Sequence, residues 1–193
     1  MLFSDEKIFR CRQRGGRLKL WMETAAPDYL RPQEYTVQNA AQVMVWACIS
    51  GDGARGLRLL DGRITGARYR DEILRPEVVP RCLGRSTRNR HVFMDDNAPI
   101  HRAGVCLSAL QAAGIHHLEW PTHSPDLNPV ENIWALLSRR VNARRPTTQA
   151  ELRTAIVEEW PNVSDAAHVG PLTASLPRRI RTLRRLRGGP TGY

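Results

Sequence analysis

The sequence predicts an α/β fold in which a mixed sheet is covered by helices on both faces. Short runs of apolar and β-branched residues alternate along the chain with longer segments whose apolar residues recur at helical spacing. Elements in this order form a sheet flanked by helices, because each face of the sheet must be buried against another layer. The 193 residues are enough for one domain with a sizeable core.

Strands dominate the prediction for the first part of the chain. The predicted strands are, in order, Leu2–Arg10, Arg17–Met22, Val43–Ser50 and Gly56–Leu60. A Gly15-Gly16 turn makes the second strand the hairpin partner of the first. Val43–Ser50 is a continuous apolar run, which is typical of a central strand buried on both faces. Pro27–Asn39 is polar and predicts a loop, and the sequence Gly51-Asp52-Gly53 predicts a turn.

Helices and short strands alternate in the remainder of the chain. The predicted helices are Ala67–Leu83, Ala103–Ala113, one that begins at Asn128, Thr148–Trp160 and Leu176–Leu186, and the predicted short strands are His91–Met94 and His116–Leu118. Pro76 and Pro80 interrupt the apolar spacing of the first helix. Gly114 is a predicted C-cap, and Asn128 followed by Pro129 is a typical helix start.

The charge of the chain indicates a nucleic-acid partner. The net charge is +10, and all but two of the 29 basic residues are arginine. The planar guanidinium group matches phosphate oxygens, and a basic field attracts polyanions. The alternative is that a GC-rich genome inflates arginine codons whatever the function, and composition does not separate the two explanations.

The sequence contains no predicted membrane span or secretory leader. The longest apolar run, Val43–Ile49, is far too short to cross a bilayer, and no basic region followed by a long apolar segment comes after Met1. We therefore expect a soluble, intracellular protein. The four cysteines form no C-x-x-C pair and are expected to be small buried hydrophobes rather than zinc ligands or redox groups. They are Cys11, Cys48, Cys82 and Cys106.

Acidic residues stand at the predicted ends of strands and helices. Asp5 lies in or just after the first strand, Asp95 and Asp96 follow a later strand, and Glu131 lies in the first turn of a helix. Carboxylates buried together repel each other, and a divalent cation such as Mg²⁺ or Mn²⁺ relieves the repulsion. Two such ions suit in-line phosphoryl displacement. Each residue also has an ordinary structural alternative: an exposed turn residue at Asp5, turn chemistry at Asp96 and a capping-box glutamate at Glu131.

Three segments decide between these alternatives. They are Phe3–Glu6 (F-S-D-E), Asp96–His101 (D-N-A-P-I-H) and Ser124–Trp134 (S-P-D-L-N-P-V-E-N-I-W). Together they resemble the catalytic domain of the Tc/mariner superfamily of transposases. The 34 residues between the second aspartate and the glutamate are the spacing of the Tc-like branch, whereas the mariner branch proper has a third aspartate. Val43–Ser50 and Ser175–Tyr193 are also similar to family segments, so the resemblance covers essentially the whole chain.

The resemblance implies a ribonuclease-H-like fold with a mixed five-stranded sheet flanked by helices. It implies that Asp5, Asp96 and Glu131 are the catalytic residues and the ligands of two Mg²⁺ or Mn²⁺ ions. Asn97 and His101 are implied to be supporting residues near the site, with direct metal ligation by His101 as the alternative.

The implied reaction is cut-and-paste DNA transposition. Activated water cuts DNA at the transposon ends, and the freed 3′-hydroxyl then attacks target DNA, typically at a TA dinucleotide. The implied partners are therefore transposon-end DNA and TA-containing target DNA, with a homodimer as the family's assembly and the nucleus as the expected location. Asp95 is not among the implied ligands, and Asp126 is expected to order the turn before its helix.

The resemblance also implies a domain organisation. Residues 1–193 are expected to form one catalytic domain with a helical C-terminal segment at about 146–193, and the family's N-terminal helix-turn-helix region is expected to be absent. DNA binding should then depend on phosphate contacts and on salt rather than on transposon-end sequence. The last predicted helix is either a DNA-contacting or nuclear-targeting element or an amphipathic helix packed on the domain, with Leu176, Ile180 and Leu183 on one face. Packing combined with non-specific phosphate contact is the favoured interpretation. The DNA-binding candidates of this helix are Arg178, Arg179, Arg181, Arg184 and Arg185.

Two functions of different classes are left by the sequence. One is an active transposase catalytic domain, which the intact acidic trio favours because drift would readily remove a carboxylate. The other is a catalytically silent, transposon-derived DNA-binding protein, which the expected lack of a recognition region favours. A ribonuclease-H-type nuclease would share the fold and metals but not the string Ser124–Trp134.

Overall fold

The computed structural model of this protein describes residues 1–11, 41–51, 53, 55–83, 92–121 and 124–186. The predicted hairpin strand Arg17–Met22 and the predicted loop Pro27–Asn39 lie outside these residues, as does the end of the chain after residue 186. Among the described residues, no helix has both the length and the apolar character that a membrane span requires.

A four-stranded mixed sheet forms the centre of the described structure. Its strands are β1 (Leu2–Arg10), β2 (Gln42–Ser50), β3 (Arg55–Leu60) and β4 (Phe93–Met94), in the spatial order β3-β2-β1-β4. β2 is antiparallel to both β1 and β3, and β4 is parallel to β1. The predicted strands Val43–Ser50 and Gly56–Leu60 are confirmed to within one residue, and Leu2–Arg10 is confirmed with the same bounds.

The fifth strand that the family resemblance implied is reduced to one bridge in the described chain. His117 pairs in parallel with Phe93, and two backbone hydrogen bonds flank this pair. Phe93 N–H donates to His116, and Leu118 N–H donates to the carbonyl of Phe93. Because β4 is only two residues long, a neighbouring segment has little strand to pair with.

Helices cover both faces of the sheet. They are α1 (Gly66–Tyr69), α2 (Val79–Leu83), α3 (Gly104–Ala112), α4 (Pro129–Ala143), α5 (Gln149–Glu159), α6 (Ala166–Ala174) and α7 (Leu176–Arg185). One core cluster joins the side of β1 and β2 that carries Phe3 and Val45 to α4, α5 and α6. A second cluster joins the opposite side, which carries Leu2 and Trp46, to α3 and the helical segment 66–83. The prediction of a sheet with helices on both faces is confirmed.

Two prolines do not end the helix between residues 66 and 83. A π-helix, Arg70–Val78, connects α1 to α2 and contains Pro76. Val79 N–H donates to the carbonyl of Leu74, five residues earlier, so the backbone keeps a helical path in a wider turn. The apolar spacing that predicted a helix therefore outweighed the usual effect of proline.

The ends of the later helices follow local chemistry closely. The side chain of Asn128 accepts a hydrogen bond from Val130 N–H at the start of α4. Thr148 and Glu151 form a reciprocal capping box at the start of α5. α6 is an element that the sequence analysis missed. Pro171 lies inside α6 and weakens the helical pattern. The sequence signal for the start of α6 is the N-cap Asp165, whose side chain accepts from His168 N–H.

All four cysteines are buried and free, as predicted. Cys48, Cys82 and Cys106 lie in the core cluster on the α3 side, and Cys11 lies in the cluster on the α4 side. Burial raises the pKa of the Cys82 thiol to about 12, so this group is an inert apolar side chain at neutral pH.

Leu137→Ala tests the core between α4 and the sheet. Leu137 is fully buried, and the substitution should lower the free energy of unfolding by about 2–5 kcal/mol because it removes apolar contacts and leaves a cavity. Urea unfolding followed by circular dichroism measures this loss. Val157→Ala, at a position 51% exposed on α5, is the control and should change stability by less than about 0.5 kcal/mol. Equal losses in both variants would contradict the assigned core.

Candidate active site

The three carboxylates predicted from the sequence line one cavity of about 310 Å³. Asp5 projects from β1, Asp96 follows β4, and Glu131 lies in the first turn of α4. β1 and β4 are parallel neighbours in the register Phe3 to Met94, which places Asp5 beside the residues that follow β4. The other lining residues are Asn97, Ala98, Trp120, Pro121, Ser124, Pro125 and Asn128. The structure therefore brings together residues that are more than 120 positions apart in sequence.

Asp5 occupies an environment that opposes its negative charge. Burial first, and then the neighbouring charges of Glu131 and Glu6, raise the pKa of Asp5 to about 7. The indole N–H of Trp134 donates to Asp5 Oδ2 at 2.8 Å, which partly compensates. A cation near this carboxylate would stabilise its negative charge. The oxygen ligands of the cavity therefore fit a divalent metal ion.

Asp96 is held in the ionised form by hydrogen bonds. Its Oδ1 accepts from the backbone N–H of Ala98 at 2.9 Å and lies 2.7 Å from Nδ1 of His101. The bond to His101 lowers the pKa of Asp96, against the smaller opposing effect of burial. The adjacent Asn97 donates from its side chain to the carbonyl of Trp120, another residue of the cavity wall.

A buried polar layer lies behind Asp96. His101 is 1% exposed, and its Nε2 lies 3.4 Å from the carboxylate of Glu6. Burial opposes a charge on this imidazole, but the contacts with Asp96 and Glu6 outweigh it and raise the pKa of His101 to about 11. Burial also raises the pKa of Glu6. In the same layer, Asp95 contacts His117 at 2.8 Å.

Two different groups of possible metal ligands meet at Asp96. Ligand atoms of Glu6, Asp96 and His101 lie within 4.8 Å of one another, whereas Asp5, Asp96 and Glu131 surround the open cavity. Glu6 and His101 are buried behind Asp96, whereas Asp5, Asp96 and Glu131 line a cavity that is open to solvent. The geometry therefore favours the cavity trio as the group that meets a metal ion and DNA, and it favours a hydrogen-bonding role for His101.

Two residues of the segment Ser124–Trp134 other than Glu131 also contact the site. Asn128 donates from its side-chain amide to the backbone carbonyl of Ser4 at 3.1 Å, next to Asp5. Trp134, one helical turn beyond Glu131, donates to Asp5 itself. The sequence motif points to Glu131 but not to these contacts. The apolar spacing of α4 does place Trp134 on the buried face of the helix.

The structure corrects the prediction for Arg179. This residue was a DNA-binding candidate, but it is only 1% exposed, and its guanidinium contacts protein groups. The other four candidates on α7 are exposed: Arg178, Arg181, Arg184 and Arg185. The helix also does not pack through Ile180, which is 41% exposed, although Leu176 and Leu183 are partly buried. The buried face of α7 is thus centred on Arg179, which donates to Asn132 of α4, and not on the apolar residues that the sequence pattern favoured.

Comparisons with known proteins agree with this geometry. Residues 1–153 match the family of DDE superfamily endonucleases. The Tc3 transposase of Caenorhabditis elegans is 28% identical over 197 residues, covering 100% of this chain and 58% of that protein. The Tcb1 transposase of Caenorhabditis briggsae is 33% identical over 172 residues, covering 87% and 60%. The Tcb2 transposase of the same organism is 31% identical over 196 residues, covering 100% and 70%.

Solved structures share the fold. The crystal structure of the catalytic domain of Mos1 mariner transposase superimposes with a TM-score of 0.71 at 18% identity, covering 98% of this chain and 82% of that one. The Mos1 mariner paired end complex with Mn superimposes with a TM-score of 0.73 at 20% identity, covering 97% and 55%. The ribonuclease-H-like α/β class implied by the sequence is confirmed, with four described strands.

Asp5→Asn should stabilise the metal-free chain at pH 8. The folded pKa of about 7 lies above the ordinary value of 3.8, so the folded chain holds this proton more tightly than the unfolded chain does. Stability is therefore lost as pH rises from about 4 to about 7, and asparagine avoids that loss. We expect a gain of about 1–4 kcal/mol at pH 8 in EDTA, shrinking toward zero near pH 4.

Urea unfolding at the two pH values measures this difference. Asp61→Asn is the matched control, because Asp61 is exposed and its ion pair with Arg153 lies at the surface. A variant at Asp5 that is no more stable than the wild type at pH 8 would show that the carboxylate is not under electrostatic strain.

Proposed function

Because the chain belongs to the DDE superfamily of endonucleases, and within it to the Tc/mariner transposases, we propose that it is the catalytic domain of a cut-and-paste DNA transposase. Its chemistry is metal-dependent cleavage of DNA strands, followed by transfer of the freed 3′-hydroxyl into target DNA. The chain spans 58% of the Tc3 transposase and 60% of the Tcb1 transposase.

One observation carries the proposal: three carboxylates from separate elements line a single cavity, and one of them is destabilised there as an anion. Protein cavities seldom gather like charges without a compensating cation. Asp5, Asp96 and Glu131 are the residues that would hold Mg²⁺ or Mn²⁺, and we propose two ions. When bound, such ions activate the attacking oxygen and stabilise the leaving oxygen of an in-line phosphoryl displacement.

The chain's own residues keep these carboxylates in place. Trp134 fixes one oxygen of Asp5, and His101 with the N–H of Ala98 fixes one oxygen of Asp96. Asp5 and Asp96 therefore keep a defined orientation before metal binds, which limits the reorganisation needed during the reaction. We assign supporting roles to His101 and Asn97 on this basis.

The DNA would reach this cavity along a basic surface. The solved Mos1 paired end complex and strand transfer complex are the structural relatives that suggest transposon-end and target DNA as partners. In this chain, the exposed arginines of α7 offer guanidinium groups for phosphate contacts: Arg178, Arg181, Arg184 and Arg185. We further propose a TA-containing target, a homodimer and a nuclear location, as expected of a Tc-like transposase.

Nicking of supercoiled plasmid DNA in Mn²⁺ or Mg²⁺ tests the catalytic proposal. Asp96→Asn and Glu131→Gln should each lower the nicking rate at least about a hundredfold, because each removes a metal ligand that acts in the transition state. The rate is measured by gel electrophoresis over a time course, with EDTA as the metal-free blank.

Two variants match these substitutions in charge and size. Asp61→Asn and Glu158→Gln lie at exposed surface ion pairs and should nick at the wild-type rate. Metal-independent nicking, or nicking that survives Glu131→Gln, would count against the assigned trio. A wild-type chain without nicking and without Mn²⁺-induced stabilisation would instead support a silent DNA-binding protein.

Salt dependence tests the arginine surface separately from catalysis. Arg184→Gln/Arg185→Gln should weaken binding to any duplex DNA and reduce the slope of log affinity against log salt by about 2, since each phosphate contact contributes about 1. Fluorescence anisotropy with a labelled duplex at several salt concentrations measures both. Arg139→Gln, on the exposed side of α4, is the control. Equal slopes for all three proteins would exclude α7 from the DNA surface.

A further inference from the structure

Arg179 differs from the other arginines of α7 because its side chain points into the protein. It is 1% exposed, and all three of its guanidinium nitrogens donate hydrogen bonds. Nε donates to Ser175 Oγ at 2.8 Å, Nη1 to the carbonyl of Asp126 at 2.8 Å, and Nη2 to Asn132 Oδ1 at 2.7 Å. The planar fork of arginine suits three acceptors in fixed directions.

These hydrogen bonds join three elements around Glu131. Asp126 lies in the short 3-10 helix Pro125–Leu127, and Asn132 lies in the first turn of α4, directly after Glu131. Arg179 therefore connects the segment before the α4 N-cap to the helical turn that carries the glutamate. A change in the angle between these two segments would move Glu131 relative to the cavity.

Packing alone does not account for an arginine at this position. Burial of a guanidinium group carries a large desolvation cost, and apolar residues usually replace a buried ion without loss of stability. A cation close to the first turn of α4 is also unfavourable with respect to the dipole of that helix. What arginine provides that an apolar side chain does not is a fixed set of directional bonds to both sides of Glu131.

We propose that Arg179 is a positioning residue for Glu131. Through Arg179, helix α7 is part of the catalytic site. The inference rests on the proposed metal-binding role of Glu131. It adds to that role a requirement for a helix that lies beyond residues 1–153, the region that matches the DDE endonuclease family. The same helix has exposed arginines on its other side. One element therefore contacts the helical turn of Glu131 and also forms part of the proposed DNA-binding surface.

Mn²⁺ affinity of the whole chain, measured by isothermal titration calorimetry without DNA, tests this inference. Arg179→Met should weaken Mn²⁺ binding roughly tenfold, the lower range for loss of a group that orients a metal ligand. Arg179→Lys keeps the charge and part of the donor set, and it should recover part of the affinity. Arg139→Met, an exposed arginine of α4, should bind Mn²⁺ as the wild type does.

A double-mutant cycle separates positioning from a general structural effect. In the Glu131→Gln background, Arg179→Met should change Mn²⁺ affinity less than twofold, because the group through which Arg179 acts is already altered. A fold-wide effect would lower affinity equally in both backgrounds and would overturn the inference. Wild-type affinity in Arg179→Met would overturn it as well and leave the proposed function intact.

Asn132→Ala provides a second route if Arg179→Met does not fold. Alanine favours the helix and removes only the acceptor of Nη2, so we expect a loss of Mn²⁺ affinity of several-fold in a folded protein. Unchanged affinity in this variant would overturn the inference. A wild-type chain that binds no Mn²⁺ would instead remove the proposed function on which the inference rests.

Discussion

Asp5 on β1 and Glu131 on α4 face one cavity, and burial first and the charge of Glu131 second oppose ionisation of Asp5. The rest of the local structure surrounds this unfavourable buried charge. Hydrogen-bond donors reach Asp5 and Asp96 from fixed positions, but they compensate only in part at Asp5. The unfavourable charge of Asp5 lowers the stability of the metal-free protein, and the same charge favours binding of a cation.

The buried His101 lies between two further carboxylates, away from the cavity. Glu6 and Asp96 approach each other behind the site, and His101 lies between them, 3.4 Å from Glu6 and 2.7 Å from Asp96. Both acidic groups raise the pKa of His101, so the imidazole and the carboxylates stabilise one another's charges in this layer. At Asp5, by contrast, the indole N–H of Trp134 offsets only part of the cost of the charge.

Helix α4 is the element on which the site depends most. Its start is joined to β1 through Asn128, its second turn reaches Asp5 through Trp134, and its first turn is joined to α7 through Asn132. A helix fixed at three points holds its carboxylate more rigidly than a loop would. This arrangement gives a physical reason for the residue types in Ser124–Trp134, where polar side chains follow one another at a buried helix start.

The sequence by itself determined the main strands and most helices, and it singled out the three acidic residues that line one cavity. The bounds of the central strand followed from the apolar run Val43–Ser50, helix starts followed from caps such as Asn128, and the family resemblance identified the acids. These features depend on neighbours in sequence or on long motifs, so they are visible without coordinates. The helix Ala166–Ala174 was missed because Gly170 and Pro171 weaken its local signal.

Only the tertiary structure decided which polar side chains are buried and what they contact. Arg179 and Arg181 look alike in sequence, yet one lies inside against Asn132 and the other lies at the surface. Composition cannot separate them, because burial depends on which face of α7 packs against the 3-10 helix Pro125–Leu127 and α6. The same holds for Trp134 and Asp5, whose hydrogen bond joins positions 129 residues apart. Long-range packing sets these contacts, and no local pattern encodes them.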